Sequence, residues 1–76
     1  MSTIKIMFKN PEEIVSFVNT VERYDIPIQM KSDEFIVDAK SILGIMYLGL
    51  NNIIEVEVCT EDCEQLKKEI LRYRAA

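Results

Sequence analysis

The chain has 76 residues, which is close to the smallest size that folds around a single hydrophobic core, and we expect residues 1–76 to form one domain. Hydrophobic residues make up 49% and charged residues 29%, a composition typical of a globular protein rather than a disordered one. The net charge of -4 argues against nucleic-acid binding, which needs a basic surface to displace counterions from phosphates. The chain contains no histidine, so imidazole chemistry is excluded.

Membrane insertion and secretion are also disfavoured. The longest apolar run, residues 42–50, is interrupted by Gly44 and Gly49, and it is much shorter than the ~20 residues of a membrane-spanning helix. The first residues enter an alternating pattern directly, without the charged and apolar regions of a signal peptide. We therefore expect a cytoplasmic protein that is not inserted in a membrane.

The first strand and the first helix are predicted by a change in hydrophobic period. Residues 3–8 alternate between apolar and polar side chains, as a half-buried strand does. Asn10 can cap a following helix, and Pro11 suits its first position. Glu13 stands three residues after the cap, where a capping box places a carboxylate, and the helical spacing continues to about Arg23. The inward-facing residues of the two elements are Ile4, Ile6, Phe8, Ile14, Phe17, Val18 and Val21.

Two further strands are predicted over residues 25–31 and 35–39, with a turn formed by Ser32 and Asp33. Pro27 restricts the first of these strands to positions where a missing N–H group does no harm. The residues of this strand that share one face are Ile26, Ile28 and Met30. The two strands are short and adjacent in sequence.

The second half of the chain predicts helix, strand and helix. A short, unusually apolar helix lies between Ser41, a suitable N-cap, and Gly49, a suitable terminator. Residues 53–59 alternate again, with Glu side chains outward, and Thr60 can cap a last helix with an acidic start and a basic end. The inward residues are Ile54, Val56 and Val58 in the strand, and Cys63, Leu66, Ile70 and Tyr73 in the helix. The predicted order is β-α-β-β-α-β-α, with the helices stacked on one face of the sheet.

The segment of residues 37–50 reads Val-Asp-Ala-Lys-Ser-Ile-Leu-Gly-Ile-Met-Tyr-Leu-Gly-Leu. This segment and the element order resemble HPr, the histidine-containing phosphocarrier family of the bacterial sugar phosphotransferase system. The pattern Lys-Ser-Ile-x-Gly-x-Met-x-Leu-Gly is specific, and the likeness extends without gaps back through Phe17, Tyr24 and Ile28. The resemblance implies an α+β fold, an open-faced β-sandwich in which a four-stranded antiparallel sheet is covered on one face by three helices.

The resemblance also implies that the phosphoryl-accepting site of the family is absent. That site is a histidine followed by x-Arg-Pro at the start of the first helix, and the alignment puts Asn10 in place of the histidine, Glu12 in place of the arginine and Glu13 in place of the proline. An amide is no phosphoryl nucleophile at neutral pH, and two carboxylates in the first turn repel phosphate. Where HPr proteins carry basic residues on the partner-facing side of this helix, the chain has Asn19 and Glu22.

The resemblance also implies that the part of the family's docking surface on the second helix is retained. The positions that stay exposed in HPr proteins and press into partners correspond to Ile42, Leu43, Met46 and Tyr47. Helical spacing points Ile45 and Leu48 inward, and Ile42, Leu43 and Met46 cannot all join them. We therefore expect an exposed apolar patch on the second helix, and methionine suits an adaptable interface.

Ser41 supports an alternative hypothesis. It matches the serine that a dedicated kinase phosphorylates in HPr proteins of many Gram-positive bacteria. N-capping, which contributes about 1 kcal/mol, also explains a serine here. A phosphate at this helix start would be electrostatically favourable. Regulation through phosphorylation of Ser41 is therefore the second hypothesis for the function, after docking through the second helix.

The two cysteines offer the weakest alternative. Cys59 and Cys63 could close only a very small disulfide loop, which stabilises little, so we expect reduced thiols. A cysteine at a helix start can be reactive, but Cys-x-x-x-Cys without histidine is neither a zinc motif nor a thioredoxin-type motif. Two small hydrophobic residues are the better interpretation, and a thiol enzyme using Cys63 is the third hypothesis.

The sequence thus predicts a non-catalytic HPr-like protein that acts by docking onto another protein, of unknown identity, in connection with the phosphotransferase system. No carboxylate pair is forced into a cleft, and there is no glycine-rich phosphate loop. We expect no enzyme activity, no cofactor and no metal.

Overall fold

One antiparallel sheet of four strands organises the chain, and the computed structural model describes residues 2–58 and 63–75. The strands are β1 (Ser2–Ile6), β2 (Ile28–Ser32), β3 (Phe35–Asp38) and β4 (Ile54–Val58), in the order β1-β4-β2-β3. The helices are α1 (Pro11–Val21), α2 (Ile42–Leu48) and α3 (Glu64–Ile70), followed by a 3-10 turn (Leu71–Tyr73). This order confirms the predicted β-α-β-β-α-β-α arrangement.

The register of the sheet separates an apolar face from a polar face. Ile4 pairs with Val56, Val56 with Met30, and Met30 with Val37, so these apolar side chains cross the sheet in one row. The next row of residues is Lys5, Glu55, Lys31 and Ile36. Opposite charges therefore face each other across neighbouring strands on the solvated side, an arrangement that stabilises antiparallel pairs.

The three helices bury the apolar face. Their inward residues are Ile14, Phe17, Val18 and Val21 in α1, Ile45 and Leu48 in α2, and Leu66 and Ile70 in α3. The rings of Phe8, Phe17 and Tyr73 pack edge to face, with centroids 5.3 Å to 5.7 Å apart. Aromatic pairs at such distances stabilise beyond their buried area. The open-faced sandwich predicted from the sequence is confirmed.

The ends of two helices are joined by side-chain contacts. The Tyr24 hydroxyl donates a hydrogen bond of 2.5 Å to Oε2 of Glu69, and Arg23 lies 3.9 Å from the other oxygen of this carboxylate. The hydrogen bond raises the pKa of the Tyr24 phenol, because the carboxylate stabilises the protonated hydroxyl. These contacts fix the segment after α1 against α3.

Three boundaries in the β2–β3 hairpin differ from the prediction, and one of them is the end of β3, at Asp38 rather than at residue 39. β2 begins at Ile28 rather than at residue 25, directly after Pro27, which cannot donate to the ladder. Ser32 pairs with Phe35, so the turn consists of Asp33 and Glu34 rather than of Ser32 and Asp33. Asp33 takes the left-handed backbone conformation, with φ of 55°, which Asp tolerates better than most residues.

The start of the last helix lies later than Thr60 suggested. Thr60 itself is outside the described residues, and α3 begins at Glu64 with Cys63 at the N-cap position and no side-chain capping bond. After α3 the chain returns to the end of β1. Met7 N–H donates to the Tyr73 carbonyl (3.0 Å), and Ala75 N–H donates to the Lys5 carbonyl (2.9 Å). No helix within residues 2–58 and 63–75 has the length and apolar character to cross a membrane.

Both predicted ends of α2 are confirmed. The Ser41 side chain accepts a hydrogen bond from Gly44 N–H (3.3 Å), and Gly49 ends the helix with φ of 89° and ψ of 173°. Only glycine adopts this backbone region without strain. A Cβ atom at Gly49 would lie 3.0 Å from Nδ2 of Asn52, which donates to the Leu48 carbonyl.

We expect Gly49→Ala to lower the free energy of unfolding by about 1–3 kcal/mol, because the substitution forces a side chain into a backbone region reserved for glycine. Urea denaturation measures the change. Gln65→Ala, on the exposed side of α3, is the control and should shift the free energy of unfolding by less than about 0.5 kcal/mol. An unchanged urea midpoint for Gly49→Ala would contradict the strain argument.

Candidate protein-docking site

The start of α1 is capped by its own side chains. The Asn10 side chain accepts a hydrogen bond of 3.0 Å from Glu13 N–H, which confirms the predicted N-cap. The Glu13 carboxylate accepts a hydrogen bond of 2.7 Å from Lys9 N–H, one residue further back than a standard capping box reaches. The side chain of Glu12 is exposed in the same turn.

This arrangement limits what the helix start can bind. Pro11 has no N–H group, and the N–H groups of Lys9 and Glu13 already donate to side chains of the same turn. The carboxylates of Glu12 and Glu13 take the favourable end of the helix dipole, where an incoming anion would otherwise be stabilised. Two backbone donors of this turn are therefore already satisfied from within the chain.

The exposed side of α2 carries large apolar residues. Leu43 is 79% exposed, Tyr47 is 71% exposed and Met46 is 44% exposed, whereas Ile45 and Leu48 are buried. The predicted exposed patch is confirmed for Leu43, Met46 and Tyr47. The prediction was wrong for Ile42, because its side chain is half-buried and packs against the core. The reason is its place in the first turn of α2, on the side that faces the core.

Phe35, which was not among the predicted residues, extends this surface. Its side chain is 49% exposed, and its ring lies edge to face with Tyr47 at a centroid distance of 5.3 Å. The alternation of β3 places Phe35 on the same side of the sheet as Val37, and this signal was present in the sequence. We call Phe35, Leu43, Met46 and Tyr47 the α2 surface.

A close contact between α2 and β3 fixes the orientation of the α2 surface. A Cβ atom on Gly44 would lie 3.2 Å from Cβ of Val37 and 3.1 Å from Oγ of Ser41. Glycine therefore allows α2 to lie close against β3. Because this side of the helix is held against the strand, Leu43 and Met46 remain on the solvent side.

The loop before α2 is held by several hydrogen bonds. Lys40 N–H donates to Oδ1 of Asp38 (2.7 Å), and the Lys40 ammonium donates to the Tyr24 carbonyl (2.8 Å). Ser41 N–H donates to the Asp38 carbonyl (3.0 Å). The Ser41 side chain is exposed in this ordered turn and is therefore accessible from solvent.

The remaining predicted residues are not part of the α2 surface. Asn19 and Glu22 are exposed on α1, so this side of the helix presents an amide and a carboxylate. Cys63 is a free, buried thiol, as expected for a small hydrophobic residue, and Cys59 lies outside the described residues. Over residues 2–58 and 63–75, no group of three His, Cys, Asp or Glu side chains could hold a metal ion.

The family model described as the PTS HPr component phosphorylation site matches residues 4–73. The chain belongs to the HPr family. HPr proteins are phosphocarriers of the phosphotransferase system, and the match includes residues of every strand and helix of the fold. No curated protein sequence gives a significant match to the chain.

Solved HPr structures agree with this assignment. The HPr-C-His structure from Thermoanaerobacter tengcongensis is 29% identical, with a TM-score of 0.78, and the alignment covers 95% of this chain and 89% of that one. An HPr dimer structure from the same organism is 30% identical, with a TM-score of 0.68 and coverages of 95% and 91%. The phosphocarrier protein HPr from Bacillus anthracis shares the fold at 22% identity, with a TM-score of 0.77 and coverages of 97% and 96%.

Proposed function

We propose that this HPr-family protein does not relay phosphate and instead docks onto a partner protein through the α2 surface. The observation that carries the proposal is the exposure of Leu43, Met46 and Tyr47 on one side of α2, in a chain that contains no histidine. A protein of this size has few apolar side chains to spare from its core, so a group of them left in solvent is a candidate interface.

The chemistry at the start of α1 supports the first half of the proposal. By its resemblance to HPr, the chain has Asn10 where the family has its phosphoryl-accepting histidine. The amide nitrogen of asparagine has no free basic lone pair at neutral pH, so it cannot attack a phosphoryl group. In addition, the Asn10 side chain is occupied as the cap of α1, and Glu12 and Glu13 supply negative charge where the family supplies an arginine and a proline.

The composition of the α2 surface supports the second half. Leucine, methionine and two aromatic rings packed edge to face form it, and none of the four side chains is charged. Aromatic residues and methionine are enriched at the cores of protein interfaces. Because HPr-family proteins interact with other phosphotransferase proteins, we propose that the partner is a protein of this system or a regulator linked to it.

The charges on α1 narrow the choice of partner. Asn19 and Glu22 are exposed where HPr proteins carry basic side chains, so these two positions do not supply the positive charge that attracts an acidic surface. A partner of this protein is therefore expected to offer an apolar groove to α2 without an acidic patch beside it.

Substitutions on the α2 surface test docking directly. We expect Leu43→Glu and Met46→Glu each to weaken binding to the partner at least about tenfold, because a charge buried in an apolar interface loses its hydration. Calorimetry with purified phosphotransferase proteins from the same cells measures the affinity. Ile36→Glu is the matched control, since Ile36 is 60% exposed but lies on the open face of the sheet.

Equal affinities for the parent, Leu43→Glu and Met46→Glu, with all variants folded by circular dichroism, would contradict docking through α2. A loss of binding only in Ile36→Glu would move the interface to the open face of the sheet. Either result would leave the fold assignment intact and reject the proposed surface.

The loss of phosphate transfer has its own test. We expect no stable label on this chain after incubation with radioactive phosphoenolpyruvate and the first relay enzyme of the system, because no imidazole is present to accept the phosphoryl group. A histidine-containing HPr protein in the same mixture is the positive control. Label recovered on Asn10 or its neighbours would overturn this part of the proposal.

A regulatory role for Ser41 is the second candidate. It is favoured by the exposure of the Ser41 hydroxyl at the start of α2, beside the α2 surface. A phosphate there would add about two negative charges next to Leu43 and would alter docking.

Incubation with ATP and a kinase of the HPr type, followed by intact-mass analysis, tests this role. Regulation predicts the mass of one added phosphate in the parent protein and none in Ser41→Ala. An unchanged mass under conditions in which the kinase modifies its own HPr substrate would reject phosphorylation by this class of kinase.

A further inference from the structure

An open cavity of about 390 Å³ lies between residues 72–75 and the segment that follows β1. We propose that this cavity binds a small organic anion that carries a phosphate or carboxylate group. The residues on which the argument depends are Met7, Lys9, Glu13, Arg72, Tyr73 and Arg74. None of them belongs to the α2 surface, so the proposal is independent of docking.

The wall that supplies the arginines is held in place by Tyr73. The Tyr73 carbonyl accepts a hydrogen bond from Met7 N–H, and its hydroxyl donates to Oγ of Ser16 (2.9 Å). Its ring packs edge to face against Phe8 and Phe17. Arg72 and Arg74 flank this fixed residue, and Arg74 also forms an isolated bridge with Ile6. The backbone that carries both guanidinium groups is therefore anchored to the core.

The charge of the cavity is opposite to that of the whole chain. Lys9, Arg72 and Arg74 contribute three positive charges and Glu13 one negative charge, so the lining has a net charge of +2 in a protein of net charge -4. Glu13 directs its carboxylate to Lys9 N–H. Within the described part of the chain, the side chains of Lys9, Arg72 and Arg74 take part in no ion pair.

The lining also indicates the kind of anion. Arginine presents a planar set of donors that matches the oxygens of a phosphate or carboxylate, and the lining contains two arginines. Met7 and Tyr73 add apolar surface to the same cavity. Apolar walls combined with a few charged groups are typical of sites for small organic ligands. An anion with an apolar body fits this lining better than inorganic phosphate does.

Titration of the isotope-labelled protein with phenyl phosphate, benzoate and inorganic phosphate, followed by amide chemical shifts, tests the site. We expect saturable shifts centred on residue 9 and residues 72–75, and no such shifts with the uncharged analogue benzyl alcohol. Tighter binding of phenyl phosphate than of benzoate assigns the site to phosphate esters, and the reverse order assigns it to carboxylates. Absence of saturable shifts with either organic anion would overturn the proposal.

Charge-removing variants locate the binding. The double variant Arg72→Gln, Arg74→Gln should raise the dissociation constant at least about tenfold, because both charge-assisted hydrogen bonds are lost. The double variant Lys31→Gln, Lys68→Gln removes the same charge from exposed positions outside the cavity and should bind like the parent. Equal weakening in both double variants would show general attraction to positive charge and would reject a defined site.

Glu13→Gln should strengthen binding of the anion, whereas the arginine double variant should weaken it. Glutamine keeps an oxygen that can accept from Lys9 N–H but removes the one negative charge of the lining, so the affinity for phenyl phosphate should rise about threefold or more. An affinity that is unchanged or lower in this variant, with the amide spectrum of a folded protein, would place the anion outside the cavity.

Discussion

Burial of one sheet face under three helices is the constraint on which the rest of the structure depends. In a chain of 76 residues a single core must hold every element, so each strand and helix contributes side chains to it. The row from Ile4 through Val56 and Met30 to Val37 crosses all four strands and supplies the floor of that core. Large apolar side chains that lie outside such a core contribute little to its stability. The residues of the α2 surface are of this kind.

The start of α1 shows how a helix start can be satisfied by side chains of the same turn. A helix start has unpaired N–H groups and a positive dipole end, and both attract anions. Here Asn10 and Glu13 satisfy two backbone donors from within the chain. These two hydrogen bonds stabilise the start of the helix. The fold needs α1 to begin at this point in the chain. The capping bonds of Asn10 and Glu13 fix this start without a ligand.

The architecture and most of the helix ends could be predicted because they depend on local patterns. The alternation of Ile54, Val56 and Val58 gave β4 and its buried face, and Asn10 and Ser41 gave the starts of α1 and α2. These features need only a few neighbouring residues in sequence. The resemblance to HPr added the topology of the sheet, which local patterns do not determine.

The errors arose where distant parts of the chain meet. Ile42 was expected in the exposed patch, but contacts with the core bury part of its side chain, and helical spacing alone does not give the rotation of α2 over the sheet. Phe35 was missed because its exposure depends on the edge position of β3 and on the ring of Tyr47. The basic cavity could not be foreseen either, since it requires Arg72 and Arg74 to return beside Lys9.

The two edge strands of the sheet, β1 and β3, differ in how far their outer backbone groups are hydrogen-bonded. This difference affects where a further strand could be added. The chain end runs along the last residues of β1, where Ala75 N–H donates to Lys5 and Arg74 bridges to Ile6. In the described part of the chain, β3 pairs with β2 alone, so the far margin keeps unpaired backbone groups. Backbone donors and acceptors along Phe35–Asp38 are therefore available for an added strand, next to the contact between Phe35 and the Tyr47 ring.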